Sequence, residues 1–269
     1  MINNDGKVAV IFGVRNDSSI SYNIALKLHL SGCRIFLSFV KETKQDVLYL
    51  LQQMGLSEEY AFEVDVTRED QITDFLGHIH RTAGSIDYIL HGVAFGSRSV
   101  LCTNATSGDE SNSSYLDIPF QDLMDSFNIS AYSLLRIARV AAPLLNTGAS
   151  ILTLTYNASQ RVIPGYAGMA INKAALENIM LYLASYFREK GVRVNALSPG
   201  LVMTTSAGGM PGIRKIRKIG KMTAPLGNVD ADDVGNAALY YFSDLSKKIT
   251  GNIHYVDGGF NIMGVNYHE

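Results

Sequence analysis

Seven strand-length apolar runs, spaced by longer stretches of helical periodicity, constrain this chain more than any other feature of its sequence. They are "KVAVIF" (7–12), "RIFLSF" (34–39), "AFEVDV" (61–66), "DYILHGV" (87–93), "ASILTLTY" (149–156), "VRVNAL" (192–197) and "NIHYVD" (252–257). Their apolar character is continuous rather than alternating, which suits strands covered on both faces, as in a parallel sheet. After the first run Ile20, Ile24 and Leu28 recur at helical spacing and Gly32 marks a helix stop; residues 41–54 and 69–83 predict two further helices. Strands alternating with helices imply right-handed crossovers. The expected fold is therefore α/β, a Rossmann-type doubly wound sheet of about seven parallel strands. With no internal repeat and no boundary-like linker, residues 1–269 are expected to form a single domain.

Composition narrows the function classes. Hydrophobic residues make up 47% and charged residues 18%, as a chain with a large core requires. A formal net charge of -2 provides no global field for nucleic acid or an acidic membrane. Two cysteines, Cys33 and Cys102, make no disulfide framework and fit a reduced, cytoplasmic setting. The first residues carry no basic leader, and no uncharged apolar stretch approaches the roughly 18 residues of a membrane helix. A polar stretch, "TNATSGDESNSS" (103–114), follows the fourth run and reads as the centre of a flap over about residues 97–118.

A dinucleotide would lie across the strand C-termini. "GVRNDSSI" (13–20) offers Gly13 for a tight turn, Ser18 or Ser19 to cap the helix and meet phosphate, and Ile20 as its first residue. Asp65 and Val66 end the third run near an adenine ring, and Val93 and Ala94 sit in "HGVAFG" (91–96), whose small residues admit a ligand to the backbone. The second run ends "SFVKETK", with no acidic residue for a ribose hydroxyl, while Lys41 or Lys44 stands where a 2′-phosphate would lie. The cofactor is therefore NADPH or NADH, with NADPH slightly favoured.

Residues 165–190 are expected to form one long helix entered through Pro164 and Gly165. At about 100° per residue, Tyr166 and Lys173 share a face, about 10 Å apart along the axis. Met169 lies between them, where an ordinary short-chain dehydrogenase has its tyrosine, and Tyr156 approaches from the fifth strand's end. The histidines suggest no metal: His78 and His80 point to different sides of a helix, and His29, His91 and His254 are isolated. His91 reads as a hydrogen-bonded strand-end residue.

This Tyr-x6-Lys spacing, with the earlier tyrosine on the strand-five loop, resembles the enoyl-acyl carrier protein reductases, a divergent branch of the short-chain dehydrogenase/reductase superfamily. The resemblance runs from Gly13 to about Gly264, through "ISAYSL" (129–134), "LTLTY" (152–156), "IPGYAGMAINKAALE" (163–177), "GVRVNALSPG" (191–200), "DVGNAALYYFSDLS" (233–246) and "ITGNIHYVDGGF" (249–260). It implies NAD(P)H-dependent reduction of a trans-2-enoyl thioester, with hydride adding at the β-carbon and an enolate forming on the thioester oxygen. Tyr166 would then hydrogen-bond that oxygen, and Lys173 would hold the nicotinamide ribose. Tyr156, Met169 and Phe95 would line the acyl pocket, and Gly200, Val202 and Thr204 would meet the cofactor. Residues of about 201–222 would cover the substrate, with Arg214, Arg217 and Lys218 of "GIRKIRKIGK" (212–221) facing an acidic acyl carrier protein. Members of the family are tetramers, so a homotetramer is expected.

Several positions depart from the family pattern. Asn23 replaces an early-helix glycine, "SPGLVMTT" resembles ordinary ketoreductases, and Ala167, Gly168, Ala170 and Asn172 change the pocket. These departures leave the acyl chain open, between a primary fatty-acid and a specialised polyketide-like substrate. The competing readings are a carbonyl reductase of the same superfamily and a non-catalytic dinucleotide-binding protein.

Overall fold

The computed structural model describes residues 2–101, 114–210 and 212–265. Its centre is one sheet of seven strands in the order β3-β2-β1-β4-β5-β6-β7, parallel throughout. The strands are β1 Val8–Phe12, β2 Arg34–Phe39, β3 Ala61–Glu63, β4 Ile86–His91, β5 Leu145–Leu154, β6 Arg193–Pro199 and β7 Ile253–Val256. The main helices are α1 Ile20–Leu30, α2 Lys44–Gln53, α3 Glu69–Ala83, α4 Phe120–Phe127, α5 Ser133–Ala141, α6 Ala167–Tyr186, α7 Thr205–Gly208, α8 Ile213–Thr223 and α9 Ala231–Phe242. The doubly wound α/β sheet expected from the sequence is thus present, with its strand order reversing between β1 and β4.

Side-chain alternation along each strand divides the core into two layers. Val8, Val10 and Phe12 of β1 join Ile72, Phe75 and Leu76 of α3, Leu134 of α5, and Leu176 and Met180 of α6. Ala9 and Ile11 point to the other face, against Ile24 and Leu28 of α1 and Val234 and Ala238 of α9. Every residue of β1 is buried, which explains why its sequence is uninterrupted by polar residues.

The ends of β3 and β5 differ from expectation. β3 ends at Glu63 rather than residue 66, because β2, its only ladder partner, ends at Phe39; Val64 donates one last hydrogen bond to Phe39 O. β5 begins at Leu145, its register shifting between Leu145 and Ser150 around Gly148 at φ 78. Between β3 and β5 in the chain, α4 and α5 are joined by a π-helical turn, Asn128–Tyr132. There Ser133 Oγ donates to Ile129 O, and Ser126 and Ser130 both donate to Phe95 O, drawing the backbone toward the loop after β4. Residues 102–113, the centre of the expected flap, lie outside the described residues. Among the described residues no helix is long and apolar enough to cross a membrane.

Arg193 anchors the far end of the sheet. It is buried and donates to Tyr241 O at 2.8 Å and Ser246 Oγ at 2.7 Å, holding the C-terminus of α9. Arg193→Met removes these buried charge-assisted bonds, although Ser150 Oγ and Ser246 Oγ still donate to Tyr241 O, and is expected to destabilise the protein by about 1–3 kcal/mol, read as a lower midpoint in urea unfolding.

Candidate active site

The crevice at the switch point is built from residues that leave backbone exposed. Gly13, which opens the turn after β1, has φ 91, and a Cβ there would collide with the Gly92 carbonyl at the end of β4. Gly92 is itself pressed close to Ser21 and to the Phe12 carbonyl. Both strand ends therefore present bare backbone to any ligand lying across them.

Ser19 is the N-cap of α1, but no side chain caps that helix, which corrects the capping expected of Ser18 or Ser19. Ser19 Oγ instead accepts from Arg15 N at 3.2 Å and Asn16 N at 2.9 Å, shaping the loop. The first turn of α1, beginning at Ile20, holds no acidic residue. Its amides thus keep their partial positive charge for an anion such as a pyrophosphate. Asn23, at the family's glycine position, is turned away from the crevice: its Nδ2 donates to Asp17 O and Ser19 O.

Sequence reasoning missed the contact that closes this loop. Asn16 Nδ2 donates to Thr205 Oγ1 at 2.6 Å, across 189 residues, tying the segment after β6 to the β1–α1 turn. Thr204 Oγ1 accepts from Ala207 N, Gly200 packs against Asp257, and Val202 is buried in the core with its amide bonded to Gly200 O. Val202 therefore contributes packing rather than an open amide. Farther out, Asp65 uses its carboxylate on Thr67 N and Oγ1, and the Val66 carbonyl accepts from Arg136. Lys41 is exposed just past β2; Val93 is half-buried, and Ala94 and Phe95 are exposed beyond β4.

At the end of β5 the two tyrosines meet: the rings of Tyr156 and Tyr166 lie 5.0 Å apart at 72°, an edge-on pair. Tyr166 is the N-cap of α6, with φ -132, and so stands before the helix rather than on it. This corrects the helical-face argument. Gly165 at φ 78 makes the turn that brings Tyr166 to Tyr156, and α6 spans Ala167–Tyr186 rather than all of 165–190. Both rings are half-buried, and neither hydroxyl has a hydrogen-bond partner among the described residues. Burial pushes the Tyr156 hydroxyl up to about 12 and raises that of Tyr166 as well, with its neighbour Tyr156 adding to the shift. Both remain protonated donors at neutral pH.

Lys173, two turns into α6, is only 4% exposed and donates to Leu154 O at 2.7 Å. Burial lowers its pKa to about 8, against an opposing effect of the Glu177 charge. His91, fully buried between Thr153 and Ser133, is held well below the usual histidine range, to about 3, by burial and then by Lys173. It is a neutral structural residue at the strand end.

Met169, expected to line the acyl pocket, is 3% exposed. It fills the space under Gly96, receives the Ser126 hydroxyl at 3.3 Å on its sulfur, and does not reach the open crevice. Asn172 donates to the same hydroxyl at 2.7 Å. The departures at positions 168–172 thus tighten a polar seam between α4, α6 and the Phe95 loop.

Beyond β6, α8 places Arg214, Arg217, Lys218 and Lys221 at helical spacing of three and four, all exposed and none in an ion pair among the described residues. Among the described residues no cluster of three His, Cys, Asp or Glu side chains is placed to hold a metal.

Comparison with known proteins bears on the family and the fold. The family model described as Enoyl-(Acyl carrier protein) reductase matches residues 13–261. The enoyl-[acyl-carrier-protein] reductase [NADH] FabI of Rickettsia felis is 38% identical over 263 residues, covering 97% of this chain and 96% of that protein. The protein of the same name from Synechocystis is 35% identical over 98% of this chain and 100% of its own length. Among solved structures, the enoyl-(acyl-carrier-protein) reductase of Anaplasma phagocytophilum in complex with NAD superposes with a TM-score of 0.90 at 33% identity, covering 98% of this chain and 97% of that one. The Bacillus cereus enoyl-acyl carrier protein reductase, with NADP+ and indole naphthyridinone, gives 0.90 at 32% identity, covering 98% of this chain and 100% of that one. The slight lean toward NADPH gains no support from the curated relatives, whose names specify NADH. The chain belongs to the enoyl-(acyl carrier protein) reductase family.

Proposed function

We propose that this chain reduces the carbon–carbon double bond of a trans-2-enoyl group on acyl carrier protein, using NADH in preference to NADPH, in fatty-acid biosynthesis. The observation that carries the reading is the Tyr156–Tyr166 pair: two protonated hydroxyls without hydrogen-bond partners among the described residues, near a buried lysine, at the C-terminal end of a central strand. A carbonyl reductase of the superfamily needs its tyrosine at position 169, and the residue there is a buried methionine.

Gly13, Ser19, Ile20, Gly200 and Thr204 frame the site for the dinucleotide, whose bare backbone and uncapped helix start suit its phosphates. Bound there, NADH supplies the hydride that the β-carbon accepts. Tyr166 donates a hydrogen bond to the thioester oxygen, where negative charge develops as the double bond is reduced. Lys173, as an ammonium, holds the nicotinamide ribose and adds a positive field at the same oxygen. Tyr156, packed edge-on, limits the position of Tyr166 and closes the acyl pocket together with Phe95. The segments 97–118 and 201–222 serve as flap and substrate cover on one domain spanning the chain, and a cytoplasmic homotetramer is the assembly that goes with this reading.

The test is oxidation of NADH or NADPH by the purified protein with a crotonyl or longer enoyl thioester and, separately, a β-ketoacyl thioester. Turnover of the enoyl substrate, faster with NADH, is expected; turnover of the ketone alone would refute the reading. The α8 cations are the docking site for the acidic carrier. Reversing Arg217 and Lys218 to glutamate together is expected to raise KM for the carrier-bound substrate about tenfold, and to leave KM for a small neutral N-acetylcysteamine thioester unchanged.

A further inference from the structure

We propose that Glu177 is a positioning residue for this reduction: its carboxylate grips both ends of the turn that carries Tyr156 and sets one negative charge a helical turn from Lys173. The inference rests on the function proposed above.

Glu177 lies on α6 four residues after Lys173, so the two side chains leave the same face of the helix one turn apart. It is 8% exposed, a burial that a carboxylate tolerates only with partners. It has two: Glu177 Oε1 accepts from Thr155 Oγ1 at 2.6 Å and from Ser159 Oγ at 2.7 Å. These short hydroxyl–carboxylate bonds are the strong, charge-assisted kind. Thr155 and Ser159 are the residues that bracket Tyr156, Asn157 and Ala158, the last two in a single 3₁₀ turn closed by Ser159 N on Tyr156 O. One carboxylate oxygen therefore grips both ends of the segment from which Tyr156 meets Tyr166.

The lysine completes the clamp. Lys173 Nζ bonds Leu154 O, the residue immediately before Thr155. The end of β5 is thus attached to α6 at Leu154, Thr155 and Ser159, two of the three through Glu177. Glu177 makes no ion pair with Lys173 and acts on it through space, raising the pKa that burial lowers. The other titratable groups around the two are few. His91 of β4 is neutral. Tyr255 of β7 is protonated, raised by burial and then by Glu177, with Arg161 and Asp257 acting on it with opposite sign. Glu177 is the negative charge that acts on Lys173 in this setting. A neutral acceptor could receive the same two hydroxyls, though more weakly, so the charge itself has its separate consequence at Lys173.

Two variants test this. Glu177→Gln keeps the shape and an acceptor oxygen but removes the charge. With it, the pH at which NADH binding weakens, followed by fluorescence titration, is expected to fall by about one unit, a tenfold change in the lysine's proton equilibrium. The alkaline limb of kcat/KM moves with it, while near pH 6 both proteins behave alike. The double variant Thr155→Val with Ser159→Ala leaves the carboxylate in place and releases the turn. KM for the enoyl thioester is expected to rise about tenfold with KM for NADH unchanged, and Thr155→Ser to restore it. An unshifted alkaline limb in Glu177→Gln, or an unchanged enoyl KM in the double variant, overturns the proposal. Should Glu177→Gln fail to fold, the double variant decides alone. A parent protein that binds NADH but reduces no enoyl thioester refutes the underlying reading, and with it the reaction that Glu177 serves.

Discussion

Replacing Tyr166 with phenylalanine lowers kcat for enoyl-thioester reduction by about 10²–10³-fold, some 3–4 kcal/mol of transition-state stabilisation, with NADH affinity unchanged. The size follows from the state of the hydroxyl. Burial raises its pKa, so it stays a donor, and among the described residues it has no hydrogen-bond partner to give up when substrate arrives. A donor that needs no reorganisation as the thioester oxygen becomes negative is worth more there than in water. The substitution keeps the ring, hence the edge-on contact with Tyr156 and the turn at Gly165, so the loss falls on chemistry rather than folding. Steady-state kinetics with a saturating enoyl thioester measure it. Full turnover by the variant would remove the oxygen-stabilising role from Tyr166. Tyr156→Phe is the control, expected to raise KM more than it lowers kcat.

The second large effect lies at the other end of the crevice. Gly13→Ala forces a side chain into a left-handed backbone at φ 91 and drives its Cβ into the Gly92 carbonyl. Neither strand end has room to yield, because Phe12 is fully buried and Gly92 N is bonded to Phe12 O at 3.0 Å. The expected cost is about 2–4 kcal/mol of stability. NADH binding is expected to weaken at least about a hundredfold, because displaced strand ends no longer line the pyrophosphate path. Thermal unfolding and cofactor titration read the two effects separately. Parental affinity in the variant would place the dinucleotide somewhere other than this crevice.

These residues differ in how visible they are in the sequence. β2 and α3 were readable to the residue because burial writes itself locally: five of the six β2 residues are buried and four of those are apolar, and a half-covered helix must be periodic. β3 was overextended because a strand ends where its partner ends, and Phe39 lies 24 positions from Glu63 in the chain. Tyr166 and Lys173 were found from their spacing, yet the helical phase that linked them does not hold. A glycine turn, not the helix, aims the tyrosine. Met169 looked equivalent to a pocket residue in one dimension, and the approach of Gly96, Ser126 and Asn172 from distant or neighbouring turns helps to bury it. The Asn16–Thr205 and Glu177–Thr155 bonds join segments whose residues are ordinary polar ones in isolation. Glu177 did carry a signal, an acidic residue one turn beyond the lysine on an otherwise apolar helix.

The most direct test of the central claim follows the hydride itself. The purified chain is given NADH deuterated at the transferring position and a trans-2-enoyl acyl carrier protein, and the product is read by mass spectrometry and NMR. One saturated thioester per NADH oxidised, with deuterium on its β-carbon, is the result this account predicts. NADH bound but not oxidised, or label found only on a carbonyl carbon reduced to an alcohol, would contradict it.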